Sequence, residues 1–325
     1  MARTMLPSKA FFLVGAPRCG TTSLAVALAQ HPQVCFSEPK EPHFFAHVPE
    51  DCDLARTQME YIRTCFRQDH LSRGWLAEGS PSYLYVPHAI RIIDRIFPAA
   101  RFLVMVRNPL EMVPSYHARL LFTMDEDVAD FETAWQLQEP RAKGQSIPAK
   151  CRDWRMLQYA EIGRLGARLT ELIQIVGRDR VKAIVFDDFT SAPLAVYREV
   201  LDFLGLEHDE RSEIARMNGT KAYRSRLIQR LLMRPPRVAR LIIPRTVGPS
   251  QPNFAGRLVK RLRRANIVRT HWRPVGAAMR QELVSWFRDD VDLLGRILDR
   301  ELRQWLDVET PSAISQPHRR IEAVA

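Results

Sequence analysis

Residues 11–23 read FFLVGAPRCGTTS, and the order of residue types in this stretch decides the fold. Phe11 to Val14 make an apolar run too short for a helix and right for a buried strand. Gly15 and Pro17 mark a turn, and Thr21, Thr22 and Ser23 open a segment of small and apolar residues that predicts a helix. A strand, a glycine-containing loop and a helix start are the parts of a phosphate cradle. Amides at a helix start point outward unpaired, and the helix dipole adds partial positive charge there. An anion placed on them satisfies both. Gly15 and Gly20 have the spacing of G-x-x-x-x-G-K-[ST], but Thr21 stands where that pattern has its lysine. Arg18 supplies instead a permanent charge whose fork geometry suits phosphate or sulfate oxygens. Cys19 reads as a small residue where backbone approaches a ligand rather than as a reactive thiol.

Outward from this loop, short β-rich runs alternate with helical patterns. That alternation predicts an α/β, P-loop-type three-layer fold, a central parallel sheet flanked by helices. The predicted strands are KAFFLVG (9–15), QVCFS (33–37), GWLAEGS (74–80), ARFLVMVRNP (100–109) and VKAIVFDDF (181–189). Helices are expected at 21–31, 53–66, 88–97, over one long stretch from 153 to 175, and at 193–205. Met279, Leu283, Phe287, Val291, Leu294, Leu298, Leu302 and Trp305 recur at three- and four-residue steps, which predicts one amphipathic helix over 275–306. We read 8–306 as a single domain and 310–325 as a disordered tail.

Composition narrows the class. The chain has 325 residues, 46% of them hydrophobic, so it can bury a core. No apolar run approaches a membrane-spanning length, and the reading is a cytoplasmic protein. The five cysteines are an odd number without a C-x-x-C pair, so neither a disulfide framework nor a zinc site is suggested. Net charge is +11, yet 221–273 alone holds 15 Lys and Arg and no Asp or Glu, which leaves the remainder at −4. This basic, proline-containing segment predicts short helices and loops over the functional edge of the sheet. It suits an anionic ligand or a peripheral contact with an anionic membrane. It has few aromatic residues and no nucleic-acid-binding motif, so nucleic acid is not expected as a partner.

The second strong strand, ARFLVMVRNP, ends in Arg107. A nucleoside triphosphatase would need a lysine in the first loop and an aspartate at such a strand end to help hold magnesium. A cation there instead favours a second anionic group on the ligand. A compound with two separate phosphates, handled without metal, fits better than ATP.

These residues together resemble the PAPS-dependent sulfotransferases, which use 3′-phosphoadenosine 5′-phosphosulfate (PAPS) and release 3′-phosphoadenosine 5′-phosphate (PAP). GAPRCGTTSL (15–24) is similar to that family's 5′-phosphosulfate loop, with Arg18 in the place of the family's loop lysine, as in many bacterial members. RNPLEMVPSYH (107–117) is similar to its 3′-phosphate motif, with Arg107 and Ser115 at the family's spacing. EPKEPHFF (38–45) resembles the carbohydrate and heparan-type branch, as do SPSYLYVP (80–87) and the segment 290–305. The resemblance implies that Arg18, Cys19, Gly20, Thr21, Thr22 and Ser23 hold the phosphosulfate end, with Arg18 stabilising the leaving phosphate. It implies that Arg107 and Ser115 clasp the 3′-phosphate, and that Glu41 is the general base for a hydroxyl or amine acceptor on a glycan, lipid or natural product. His43 is the rival base. Lys221, Tyr223 and Arg224 are weaker candidates for the same phosphate or the adenine. Phe44 and Phe45 read as wall. Asp187 and Asp188 resemble a magnesium-binding strand end but more simply cap the segment after them. A P-loop kinase or nucleotidase, and a basic membrane- or polyanion-binding protein, are the rival classes.

Overall fold

The computed structural model describes residues 9–215, 220–233, 261–262, 265–270 and 275–307. Five strands form the central sheet: β1 (Lys9–Gly15), β2 (Val34–Phe36), β3 (Trp75–Glu78), β4 (Arg101–Val106) and β5 (Val181–Val185). They run in the order β2-β3-β1-β4-β5 and every pairing is parallel. All five are the strands read from the sequence. Ala10 to Val14 are at most 1% exposed, as befits a strand covered on both faces.

The order places a crossover at β1. The chain leaves β1 for β2 on one side, then fills the gap with β3 before adding β4 on the other side. Ligands of open parallel sheets bind outside the carboxyl ends of the strands at such a reversal. Here that point lies between the ends of β1 and β4, where the two charged motifs emerge.

The helices follow the sequence closely near the sheet. They are α1 (Thr21–Ala29), α2 (Leu54–Cys65), α3 (Pro87–Ile96) and α4 (Pro109–Thr123). The start of α4 is set by Asn108, whose side chain accepts a hydrogen bond from the Leu110 amide at 2.9 Å, and by Pro109 at the first helical position. Two short helices, α5 (Phe131–Gln136) and α6 (Gln138–Ala142), carry a buried cluster. Arg141 grips Glu126 with two bonds of 2.8 Å, and the Tyr159 hydroxyl donates to Glu126 at 2.6 Å. Both charged side chains are fully buried, so each depends on the other.

Three expectations need correction. The long helix over 153–175 is broken into a 3₁₀ turn at Trp154–Leu157, α7 (Tyr159–Gly163) and α8 (Leu165–Val176). Helix α8 starts where a carboxylate caps it from afar: Asp290 accepts from the Gly166 and Ala167 amides, each at 2.8 Å. Beyond β5 come α9 (Phe186–Ser191) and α10 (Pro193–Leu204). The basic segment is not only helices and loops, because β6 (Thr220–Tyr223) pairs antiparallel with β7 (Ile267–Thr270), flanking α11 (Arg226–Met233). The C-terminal helix, α12, covers Ala277–Leu298 and stops at Asp299, which takes a left-handed φ of 50°. A 3₁₀ turn at Arg303–Leu306 follows, and the Trp305 carbonyl accepts from the Asn108 side chain, just past β4, at 3.0 Å. The expected tail, 310–325, and most of 234–273 lie outside the described residues.

Candidate active site

The loop from Ala16 to Gly20 turns sharply at the end of β1. The Ala16 amide still donates to the Met105 carbonyl of β4 at 2.8 Å, so loop and neighbouring strand are fixed together. Arg18 has φ 67° and Gly20 φ 90°. A Cβ on Gly20 would come within 3.1 Å of the Phe186 ring as well as needing the left-handed conformation. Only glycine meets both demands. Gly20 then leads into α1, with Thr21 and Ser23 buried and Thr22 exposed.

Two sequence motifs meet at this loop. Arg18 Nε donates to Ser115 Oγ on α4 at 2.9 Å, although the two lie 97 residues apart. Arg107, at the end of β4, donates to the Arg18 carbonyl at 3.3 Å and to Glu111 at 2.6 Å. Its guanidinium lies 4.6 Å from the Phe186 ring centroid. The Nε of Arg107 is buried and has no hydrogen-bond partner among the described residues. Arg168 and Arg280 also have such a nitrogen, so the weight rests on position: Arg107 alone of the three stands at the sheet's crossover.

The charge here is unbalanced toward positive. The Arg18 guanidinium is pushed down to about 10, first by burial and then by Arg119 and Arg107. It remains protonated at neutral pH, and an anion would relieve the strain. Arg119 lies outside the motif residues named above. It stands four residues after Ser115, one helical turn on the same face of α4, so the signal was available.

Cys19 is fully buried and its thiol is pushed up to about 12, mainly by burial. That suits packing beneath the loop. Native protein treated with a thiol reagent at mildly alkaline pH should therefore label half-buried Cys52 and leave Cys19 unmodified, as read by peptide mass spectrometry. Rapid labelling of Cys19 would contradict the packing shown.

The second group of candidates lies over the end of β3, the strand beside β1. Ser37 and Lys40 tie residues 37–43 to it: the Ser37 amide donates to Ala77, and the Gly79 amide donates to Lys40. Lys40 Nζ is 2.5 Å from Glu41 Oε1. His43 Nε2 is 3.8 Å from Glu41 Oε2, and its Nδ1 is 2.7 Å from Ser82 Oγ. The side chains of Glu41 and His43 are 35% and 38% exposed, open enough for a substrate to reach. His43 is held below the usual imidazole range, chiefly by burial, against an upward pull from Glu41. Neutral at pH 7, it could also accept a proton. Phe45 is fully buried against Phe12, Tyr61 and Tyr83, which makes it core rather than wall.

The remaining candidates fall elsewhere. Strand β6 lies against α4, the helix that carries Ser115. Tyr223 is half-buried and Arg224 exposed, its amide donating to Asn266; the Lys221 side chain lies outside the described residues. Asp187 accepts from the Trp305 indole at 2.9 Å and Asp188 pairs with Arg300, so both anchor the C-terminal turn instead of capping their own segment. Among the described residues no group of His, Cys, Asp or Glu is gathered as metal ligands would be, and no helix is long and apolar enough to cross a membrane.

Comparison with known proteins agrees with this architecture. A family model described as "Sulfotransferase family" matches residues 37–210. That span holds Glu41, His43, Arg107 and Ser115 but not the loop at 16–23. No curated protein sequence matches the chain. A crystal structure of a sulfotransferase from Alicyclobacillus acidocaldarius is similar at 23% identity, covering 91% of this chain and 97% of its own, with a TM-score of 0.57. The sulfotransferase domain of the Synechococcus PCC 7002 olefin synthase is 17% identical over 91% of this chain and 96% of its own, at a TM-score of 0.44. The first of these establishes a shared fold.

Proposed function

The chain belongs to the sulfotransferase family, and from that premise we propose that it moves the sulfuryl group of PAPS to a hydroxyl or amine of a carbohydrate. Lipid and natural-product acceptors are the alternatives that identification of the product decides. One observation carries the reading: Arg18, Ser115 and Arg107, from two separate motifs, come into hydrogen-bond contact at the sheet's crossover.

In this reading the loop and the first turn of α1 hold the 5′ end of the donor. Arg18 faces the charge that grows on the departing phosphate. It acts electrostatically, since even at about 10 its proton is not available at neutral pH. Arg107 and Ser115 take the 3′-phosphate, with Arg119 adding charge from the next turn of α4. Glu41 removes the acceptor's proton as its oxygen or nitrogen attacks sulfur in line. Alignment and charge stabilisation supply most of the rate, as in phosphoryl transfer.

The test is transfer of radioactive sulfate from PAPS into a cell extract, followed by isolation of the labelled product. A labelled glycan supports the reading; no label above that of heat-killed protein would sink it. Because arginines rather than a metal offset the phosphate charge, turnover in excess chelator should stay within about twofold of the untreated enzyme. A loss restored by magnesium would favour phosphoryl transfer instead.

A further inference from the structure

Glu78 ends β3 and is fully buried, yet no Lys, Arg or His pairs with it among the described residues. It is surrounded by hydroxyls. Tyr61 donates to one carboxylate oxygen at 2.7 Å and Ser80 donates to the other. Ser80 and Tyr83 in turn hold the loop above. Ser80 Oγ accepts from the His43 amide at 3.0 Å, and the Tyr83 hydroxyl accepts from the Phe45 amide at 3.1 Å.

The direction of these bonds matters. A carboxylate can only accept, so Ser80 must spend its single proton on Glu78. Its lone pairs are then left facing the His43 amide, which can only donate. The Glu78 charge thereby fixes the polarity of the chain from β3 to the backbone of His43. That backbone sits at a φ of 52°, a left-handed conformation that residues other than glycine adopt only when the surrounding structure holds them there. Holding it places the imidazole on Ser82 and its Nε2 beside Glu41.

We propose that Glu78 is a positioning residue for the Glu41–His43 loop, acting through Ser80. This rests on reading that loop as the acceptor side of the site. Burial also pushes the Glu78 carboxyl up to about 7, with bonds from Ser80, Tyr61 and Tyr83 opposing it. Protonation near neutral pH therefore weakens Glu78 as the acceptor for Ser80, while the His43 amide still donates to Ser80. On the α2 side the groups facing Glu78 are Tyr61 and Cys65, and above it Tyr83; around His43 they are Glu41, Lys40, His47 and Arg152.

Two variants test it, Glu78→Gln and Ser80→Ala, in the full-length protein. Ser80→Ala removes the link and leaves the Tyr61–Glu78 bond, so it decides the matter if Glu78→Gln fails to fold. Each should bind PAP with wild-type affinity and lower kcat about 10- to 100-fold, with little change in acceptor KM. In Glu78→Gln the limb of the pH–rate profile near neutrality should also be lost. Wild-type kcat and pH profile in both variants would overturn the positioning role. If wild-type protein itself transfers nothing, the failure belongs to the proposed function and not to Glu78; the His43 imidazole NMR signal, expected to shift in both variants, then reads the coupling directly.

Discussion

Arg107→Ala should abolish measurable binding of PAP in calorimetry while leaving the fold intact. The wild-type side chain brings three things to the site. It is a fixed cation at the crossover, it is oriented by stacking on Phe186, and it keeps a buried Nε that has no partner among the described residues. Truncation removes all three. It also strips Glu111 of its 2.6 Å partner, leaving a carboxylate beside the space the phosphate would occupy. Losing one partner of a buried charge-assisted contact typically costs about 2–5 kcal/mol, or roughly 30- to several-thousand-fold in affinity. The added repulsion pushes toward the upper end. The fold should survive because Arg107 follows β4 and contributes no apolar packing to the sheet, whose strands are buried without it. Arg107→Lys should recover part of the affinity through charge, but not all, because the fork is gone. Unchanged PAP affinity in Arg107→Ala, with an unchanged melting curve, would remove Arg107 from the site.

Why this residue could be found without a structure, and others could not, follows from what makes each one act. Arg107 and Arg18 act from the ends of strands whose apolar runs are local signals. A buried parallel strand announces its own end, and in such a fold the carboxyl end is where ligands bind. Ser115 and Arg119 are one helical turn apart, so periodicity relates them once α4 is placed. Glu78 has no such signal. Within GWLAEGS it looks like any polar residue in a short strand, and its importance comes from Tyr61, Ser80, Tyr83 and His43 gathering around it through tertiary packing. The broken helix after residue 153 has the same cause. Gly163 packs where a Cβ would lie 2.4 Å from Phe287, and Gly166 where one would lie 2.5 Å from the Asp290 carbonyl. The break is imposed by a helix more than a hundred residues away. The overlong C-terminal helix arose from a true periodicity, since Leu298, Leu302 and Trp305 are all buried or nearly so. Their burial continues through a turn at Asp299 that spacing alone does not reveal.

Glu41→Gln should bind PAP as well as the wild type and lose transfer by about 10²–10⁴-fold, the usual worth of a positioned general base. The substitution keeps the size of the side chain and its place beside Lys40, while removing the capacity to take a proton at the acceptor. The arginines proposed to hold the nucleotide follow the ends of β1 and β4, and the Glu41 loop rests on the end of β3, so binding and transfer should separate in this variant. His43 is the alternative base, and pH tells the two apart. A base works when unprotonated, so the rate rises as pH climbs through its pKa. His43 already titrates below the usual imidazole range, and Glu41 is the charge pulling it upward. Glu41→Gln removes that pull, so the imidazole becomes neutral at still lower pH. If His43 were the base, the variant would keep its turnover and its acid limb would move to lower pH. If Glu41 is the base, activity is lost across the whole range and no pH restores it. Turnover within about threefold of wild type, with the acid limb displaced downward, would transfer the role to His43.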